Sequence, residues 1–163
     1  MKIMTWIIVA TVSLVGIGLP ALSQNPQPPP KVIPKLEPIA ETKLLMEGLT
    51  NSNFRGLERQ LSQKSLEAQN WVFARGQALL IAEAANLLML RPPKNQGQAA
   101  WFERAMELRN QATQLAKTIG TKDLERSRAG LSTLAETCNR CHQTFRVPVQ
   151  IAPFEEEPPR KVE

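Results

Sequence analysis

The sequence predicts an all-α protein, folded as an antiparallel four-helix bundle, from two patterns and one absence. Apolar residues recur at steps of three and four through four segments, which is the spacing of one face of a helix. Proline, glycine and short polar clusters separate these segments, and strand-like alternation of apolar and polar residues is nowhere evident. Four amphipathic helices with short connections bury their apolar faces against one another, and this arrangement is a bundle.

The first two helices are predicted at about residues 39–62 and 66–90. The polar run Asn51–Asn53 predicts a cap or a turn within the first, because such side chains bond to nearby backbone groups. The second ends before Pro92, since a residue that precedes proline is biased away from helical backbone angles.

The third helix is predicted at residues 98–119, ending at Gly120, and the fourth begins near Thr121. Each carries one apolar stripe that a bundle would bury. The third stripe consists of Trp101, Ala105, Leu108, Ala112, Leu115 and Ile119, and the fourth of Leu124, Ser127, Leu131, Leu134, Cys138, Cys141 and Phe145.

The two ends of the chain differ from this helical region. Residues 1–23 have the layout of a secretory signal peptide, and an uncleaved membrane anchor is the competing interpretation. Residues 24–38 are predicted to be a proline-rich linker, residues 39–147 the bundle, and residues 148–163 a disordered charged tail. We therefore expect an exported, periplasmic protein that contacts a membrane only if the N-terminal segment stays uncleaved.

The amino-acid composition excludes several classes of partner and metal site. The chain has 163 residues, with 20 Lys and Arg against 15 Asp and Glu and a net charge of +5. The positive charges are not clustered or interleaved with aromatic residues, so no nucleic-acid partner is predicted, although an acidic redox partner protein could dock on this surface. One His and two Cys exclude a bis-histidine haem and a two-histidine zinc site.

Both cysteines and the histidine fall within five residues, as Cys138, Cys141 and His142. The spacing Cys-x-x-Cys-His is the one that covalent attachment of c-type haem requires. On a helix, these three side chains project from one face. A Cys138–Cys141 disulfide is the main alternative for an exported protein, although it would close a very short loop and stabilise little.

The run CNRCHQTFR, from Cys138 to Arg146, resembles the attachment segment of the class II c-type cytochromes, the cytochrome c′ family. The resemblance covers about residues 39–147. It implies a four-helix bundle with one covalently attached haem c, with Cys138 and Cys141 as thioether attachments and His142 as the proximal iron ligand. The proline-rich linker, the acidic tail and the polar run in the first helix depart from the family.

The resemblance also implies that the distal residue at the iron comes from the first helix, which makes Met46 the candidate distal ligand. On spacing alone Met46 is a core residue, as Met89 and Met106 are predicted to be. Ligation by Met would saturate the iron and define an electron carrier. An apolar distal residue would leave the iron five-coordinate and open to nitric oxide or carbon monoxide.

The leading hypothesis is therefore an exported monohaem c-type cytochrome that carries single electrons. The alternatives are a five-coordinate haem protein that binds NO or CO, and a non-haem helical interaction protein with a disulfide. Arg146 is a candidate for pairing with a haem propionate or for capping the last helix. Neither a distal His nor an acid that could cleave peroxide is assignable, so no enzymatic activity is predicted, and a homodimer is left open.

Overall fold

The computed structural model describes residues 35–154. The signal peptide or anchor predicted for residues 1–23, most of the linker, and residues 155–163 lie outside the described residues. Within the described part every regular element is a helix, and these form four helices. The prediction of an all-α, four-helix architecture is confirmed.

The four helices begin and end close to the predicted residues. Helix α1 runs through three consecutive stretches, and the others are regular α-helices. The bounds are Thr42–Leu45 (α-helical), Met46–Asn51 (π-helical) and Ser52–Leu61 (α-helical) for α1, Ala68–Met89 for α2, Gln98–Gly120 for α3 and Leu124–Thr144 for α4.

The polar run in α1 does not interrupt the helix, contrary to the predicted cap or turn. The backbone angles of Asn51 and Ser52 remain helical. The side chains bond backwards instead: Ser52 Oγ donates to the carbonyl of Glu47 at 3.2 Å, and Asn53 Nδ2 donates to that of Leu49 at 2.7 Å. The helix widens into a π-helical stretch here, and such stretches occur frequently at functional sites.

The bundle core follows the predicted stripes. Helix α2 packs on α3 and α3 packs on α4, while α1 packs on both α2 and α4. Helices α1 and α2 approach closely at Gly56, where an added Cβ would collide with the side chain of Gln77. The large side chains that are fully buried come from all four helices: Leu57, Leu61, Ile81, Leu115, Ile119, Leu131 and Leu134.

Helix α4 is fixed at its N-terminal end by two polar side chains. Asp123 caps it by accepting a hydrogen bond from the backbone N–H of Arg126 at 3.0 Å. Arg128 donates from Nε to the carbonyl of Leu61 at 2.7 Å and from Nη2 to that of Gln63 at 2.9 Å. These bonds satisfy carbonyls at the end of α1 and hold α1 against α4.

The chain turns back sharply after α4. Arg146 has a φ of 56°, and the backbone N–H of Val147 donates to the carbonyl of His142 at 2.8 Å. This left-handed residue and its backbone bonds form a common helix C-cap. Residues 147–154, which we call the C-terminal strap, then form hydrogen bonds with α1 and α4. The structure therefore differs from the predicted disorder at residues 148–154.

Some large apolar side chains are exposed. Met106, which the sequence predicts as a core residue, is 43% exposed, Phe73 is 60% exposed, and Phe102 also faces solvent. In the part of the chain that the structure describes, one helix, α2, has the length and apolar composition needed to cross a membrane. That helix also supplies buried residues to the bundle core, so its apolar character has a structural explanation.

Candidate functional site

A cavity of about 780 Å³ lies between helices α1, α3 and α4 and the C-terminal strap. Its lining is largely apolar, and its volume falls within the roughly 300–1,000 Å³ range of small-molecule and cofactor sites. It brings together four residues that the sequence predicted as site residues: Met46, Cys138, Cys141 and His142.

Helix α4 presents Cys138, Cys141 and His142 to this cavity from successive turns. Cys138 is buried, whereas Cys141 and His142 are half-buried. Both cysteines are free thiols in the structure. The predicted stripe of the fourth helix therefore continues from the core into the cavity wall.

The surroundings of the two thiols favour their neutral form. Burial raises the pKa of the Cys138 thiol to about 12, with a further contribution from Cys141. Burial also raises the pKa of Cys141, and the positive charge of Arg104 opposes that rise. Both groups are therefore protonated at neutral pH, unlike the thiolates of redox-active Cys-x-x-Cys pairs.

The imidazole of His142 is held by the strap. Its Nδ1 lies 2.9 Å from the carbonyl oxygen of Val149. Because a carbonyl oxygen can only accept, this contact is a hydrogen bond only when Nδ1 carries the proton. The arrangement leaves Nε2 unprotonated in the neutral ring, which is the state that a metal-binding nitrogen requires.

Among the methionines that the structure describes, Met46 is the one that lines the cavity. It is the first residue of the π-helical stretch, and its Sδ accepts a hydrogen bond from the hydroxyl of Thr50 at 3.8 Å. Met89 packs against the core, and Met106 is 43% exposed. The structure therefore places one thioether in the cavity.

The cavity also has an aromatic wall. Trp101 lines it and donates from Nε1 to the carbonyl of Leu88 at 2.7 Å, at the end of α2. The rings of Trp101 and Phe145 meet edge to face, with their centres 5.2 Å apart. Trp71, by contrast, is buried in the bundle core. Of the two tryptophans that the structure describes, Trp101 is thus the one that can pack on a planar group held by the cysteines.

The cavity is lined by basic residues other than Arg146, the one that the sequence suggested as a propionate partner. Arg146 is exposed and is not among the lining residues, which include Arg55 and Arg104. Arg104 donates from Nη1 to Glu107 at 2.7 Å, and its buried Nε has no hydrogen-bond partner among the described residues. Sequence reasoning missed Arg104, although it lies three residues after Trp101 on α3 and so shares its face.

These residues fit a c-type haem. Two neutral thiols and an imidazole lie on one face of a helix beside a largely apolar cavity. The unpartnered Nε of Arg104 is a donor suited to an anionic propionate. A thioether completes the set of groups that ligate haem iron in proteins.

Within residues 35–154, the fold and the cavity define a helical-bundle protein with a cavity of cofactor size. The family model for cytochrome c′ matches residues 95–146, a segment that includes α3, α4 and the Cys-x-x-Cys-His motif. This match and the helical structure are consistent with a class II cytochrome c′ four-helix bundle, and the family implies one covalently attached c-type haem. No curated protein and no solved structure matches the chain.

Proposed function

We propose that this chain is an exported monohaem c-type cytochrome that carries single electrons through a His/Met-ligated haem. The observation that carries the proposal is the cavity, in which one thioether and one imidazole accompany the two thiols. The family match supports a haem protein and does not extend to α1, where Met46 lies. The proposal of Met46 as distal ligand therefore depends on the cavity and on the local structure of α1.

Four residues of the chain would hold the haem. The Cys138 and Cys141 thiols would each add across one vinyl group, the sulfur bonding to one carbon and the proton going to the other. His142 would bind the iron through Nε2, and Met46 through Sδ. When bound, the haem supplies an iron that accepts one electron from a donor protein and passes it to an acceptor.

Two features of α1 support Met46 as a ligand. Its sulfur already has one polar neighbour, Thr50, which is buried and donates to Sδ. The π-helical stretch that begins at Met46 is also a local irregularity of the kind found at functional sites. A thioether and an imidazole that both bound the iron would raise its reduction potential and would leave no position for a substrate.

The family match itself favours a second candidate. Cytochrome c′ is the description of the matching family, and the match stops short of α1. In this candidate Met46 would remain a packing residue, and the site would hold a five-coordinate haem with room for NO or CO in the cavity. Both candidates use Cys138, Cys141 and His142 in the same way.

The localisation, the absence of enzymatic activity and the redox partner are proposals that depend on the family and on the net charge. Proteins of this family are typically exported to the periplasm and are typically non-enzymatic, and we propose the same here. The family implication of haem argues against a disulfide-linked interaction protein. A net charge of +5 supports an acidic redox partner.

Absorption spectra separate the two haem candidates. For an electron carrier, the oxidised protein shows a Met-to-iron charge-transfer band, which the Met46→Leu variant lacks. Met89→Leu is the matched control, because Met89 packs on the core and should keep the band. A high-spin wild-type protein that binds carbon monoxide readily would contradict the electron-carrier function and support the second candidate.

A further inference from the structure

The Cys-x-x-Cys-His motif has one buried polar residue whose role the haem site does not explain. Asn139, between the two cysteines, is 9% exposed, whereas its neighbour Arg140 faces solvent. A buried side-chain amide is costly unless its donor and acceptor are both satisfied. The partners of Asn139 therefore indicate why it is buried.

Both polar groups of Asn139 bond to a single residue of the strap. Its Nδ2 donates to the carbonyl of Ile151 at 2.8 Å, and its Oδ1 accepts from the N–H of Ile151 at 2.8 Å. The side chain of Ile151 packs against the bundle core. Farther along, the N–H of Phe154 donates to Glu58 of α1 at 2.7 Å. The strap is thus held at a defined position over α4.

This attachment determines where Val149 lies. The strap leaves α4 at Arg146 and is fixed again at Ile151, so Val149 is held between two anchored points. Its carbonyl oxygen consequently meets Nδ1 of His142 at 2.9 Å. Partners of this kind orient a metal-bound imidazole and increase its basicity as a ligand.

We propose that Asn139 is a positioning residue for the proximal histidine: it latches the C-terminal strap, and the strap holds the Val149 carbonyl on His142 Nδ1–H. This inference rests on the proposed function only through His142 as an iron ligand. It does not depend on whether Met46 also binds. The chemistry is that of a backbone acceptor that strengthens the electron donation of an imidazole.

The test uses the haem-loaded full-length protein with Met46→Leu, so that the reduced iron is five-coordinate and its iron–histidine stretching vibration can be measured. Asn139→Ala should lower that frequency and speed solvent exchange of the His142 Nδ1 proton, because the carbonyl acceptor is lost. Arg140→Lys is the matched control, since it lies between the same two cysteines, keeps its charge and faces solvent.

A second variant guards against a general loss of structure. Ile151→Pro keeps an apolar side chain and removes the N–H that donates to Asn139 Oδ1. It should therefore also lower the iron–histidine stretching frequency. An Asn139→Ala protein that unfolds more easily while its frequency and proton exchange match those of the control would overturn the proposal and leave a purely structural role. Absence of covalent haem, or an unchanged spectrum in His142→Ala, would instead overturn the proposed function.

Discussion

The hydroxyl of Thr50 lies 3.8 Å from Sδ of Met46 and donates a hydrogen bond to it. Both residues belong to the π-helical stretch of α1, and Thr50 is buried. A thioether is a weak acceptor with more than one lone pair, so this bond can coexist with a bond from the sulfur to iron. It gives Met46 a polar neighbour that a methionine used only for packing does not need.

Replacing Thr50 with valine should lower the reduction potential. A hydrogen bond to Sδ withdraws electron density from the sulfur, which makes the thioether a poorer donor to ferric iron. Its loss should therefore stabilise the oxidised state by on the order of 0.5 kcal/mol, or about 20 mV for one electron. Redox titration of the haem-loaded protein measures the shift.

Thr113→Val is the control for that substitution, because the Thr113 hydroxyl donates to a backbone carbonyl within α3. It should leave the potential unchanged. Equal potentials for Thr50→Val and the wild type would contradict ligation by Met46 and favour the five-coordinate candidate.

Arg104 should raise the reduction potential through its charge. It lines the cavity, its hydrogen bond with Glu107 raises its pKa, and its buried Nε is unpartnered among the described residues. Removal of this cation in Arg104→Leu should favour ferric haem and lower the reduction potential. Arg109→Leu, a change on the same helix at a residue that does not line the cavity, should shift the potential much less. Equal shifts in the two variants would rule out a specific role for Arg104.

Arg146→Gly should stabilise the protein. Arg146 adopts a φ of 56° at the end of α4, a conformation that costs a residue with a Cβ about 1 kcal/mol relative to glycine. Denaturant unfolding should show an increase of about that size, with an unchanged haem spectrum. A loss of stability together with a changed spectrum would instead support the hypothesis that the Arg146 side chain pairs with a propionate.

The parts of the fold that were predictable are those with a periodic signal. The stripe from Trp101 to Ile119 recurs regularly, and its aliphatic members are buried as expected. The π-helical stretch could not be predicted in this way, because it changes the helix locally while apolar spacing continues. The polar run at Asn51–Asn53 indicated where the helix is irregular. Its side chains, however, bond to carbonyls of the preceding turn and do not end the helix.

The candidate site also has residues that the sequence pattern predicted and contacts that it could not predict. The motif residues Cys138, Cys141 and His142 were recognisable from their spacing, and the structure places them in one cavity. The latch between Asn139 and Ile151 spans twelve positions through side-chain-to-backbone bonds, which leave no pattern in the sequence. Proline and charge in the tail predicted disorder because such composition carries few apolar residues, yet Ile151 packs on the core.

Covalent attachment of haem is tested most directly by the intact mass of the mature protein after expression with c-type haem maturation machinery, measured under denaturing conditions. We expect a mass increase of one haem, retained on denaturation, and no such increase in a Cys138→Ala/Cys141→Ala double variant. A wild-type protein that matures in the same cells without covalently bound haem would contradict it.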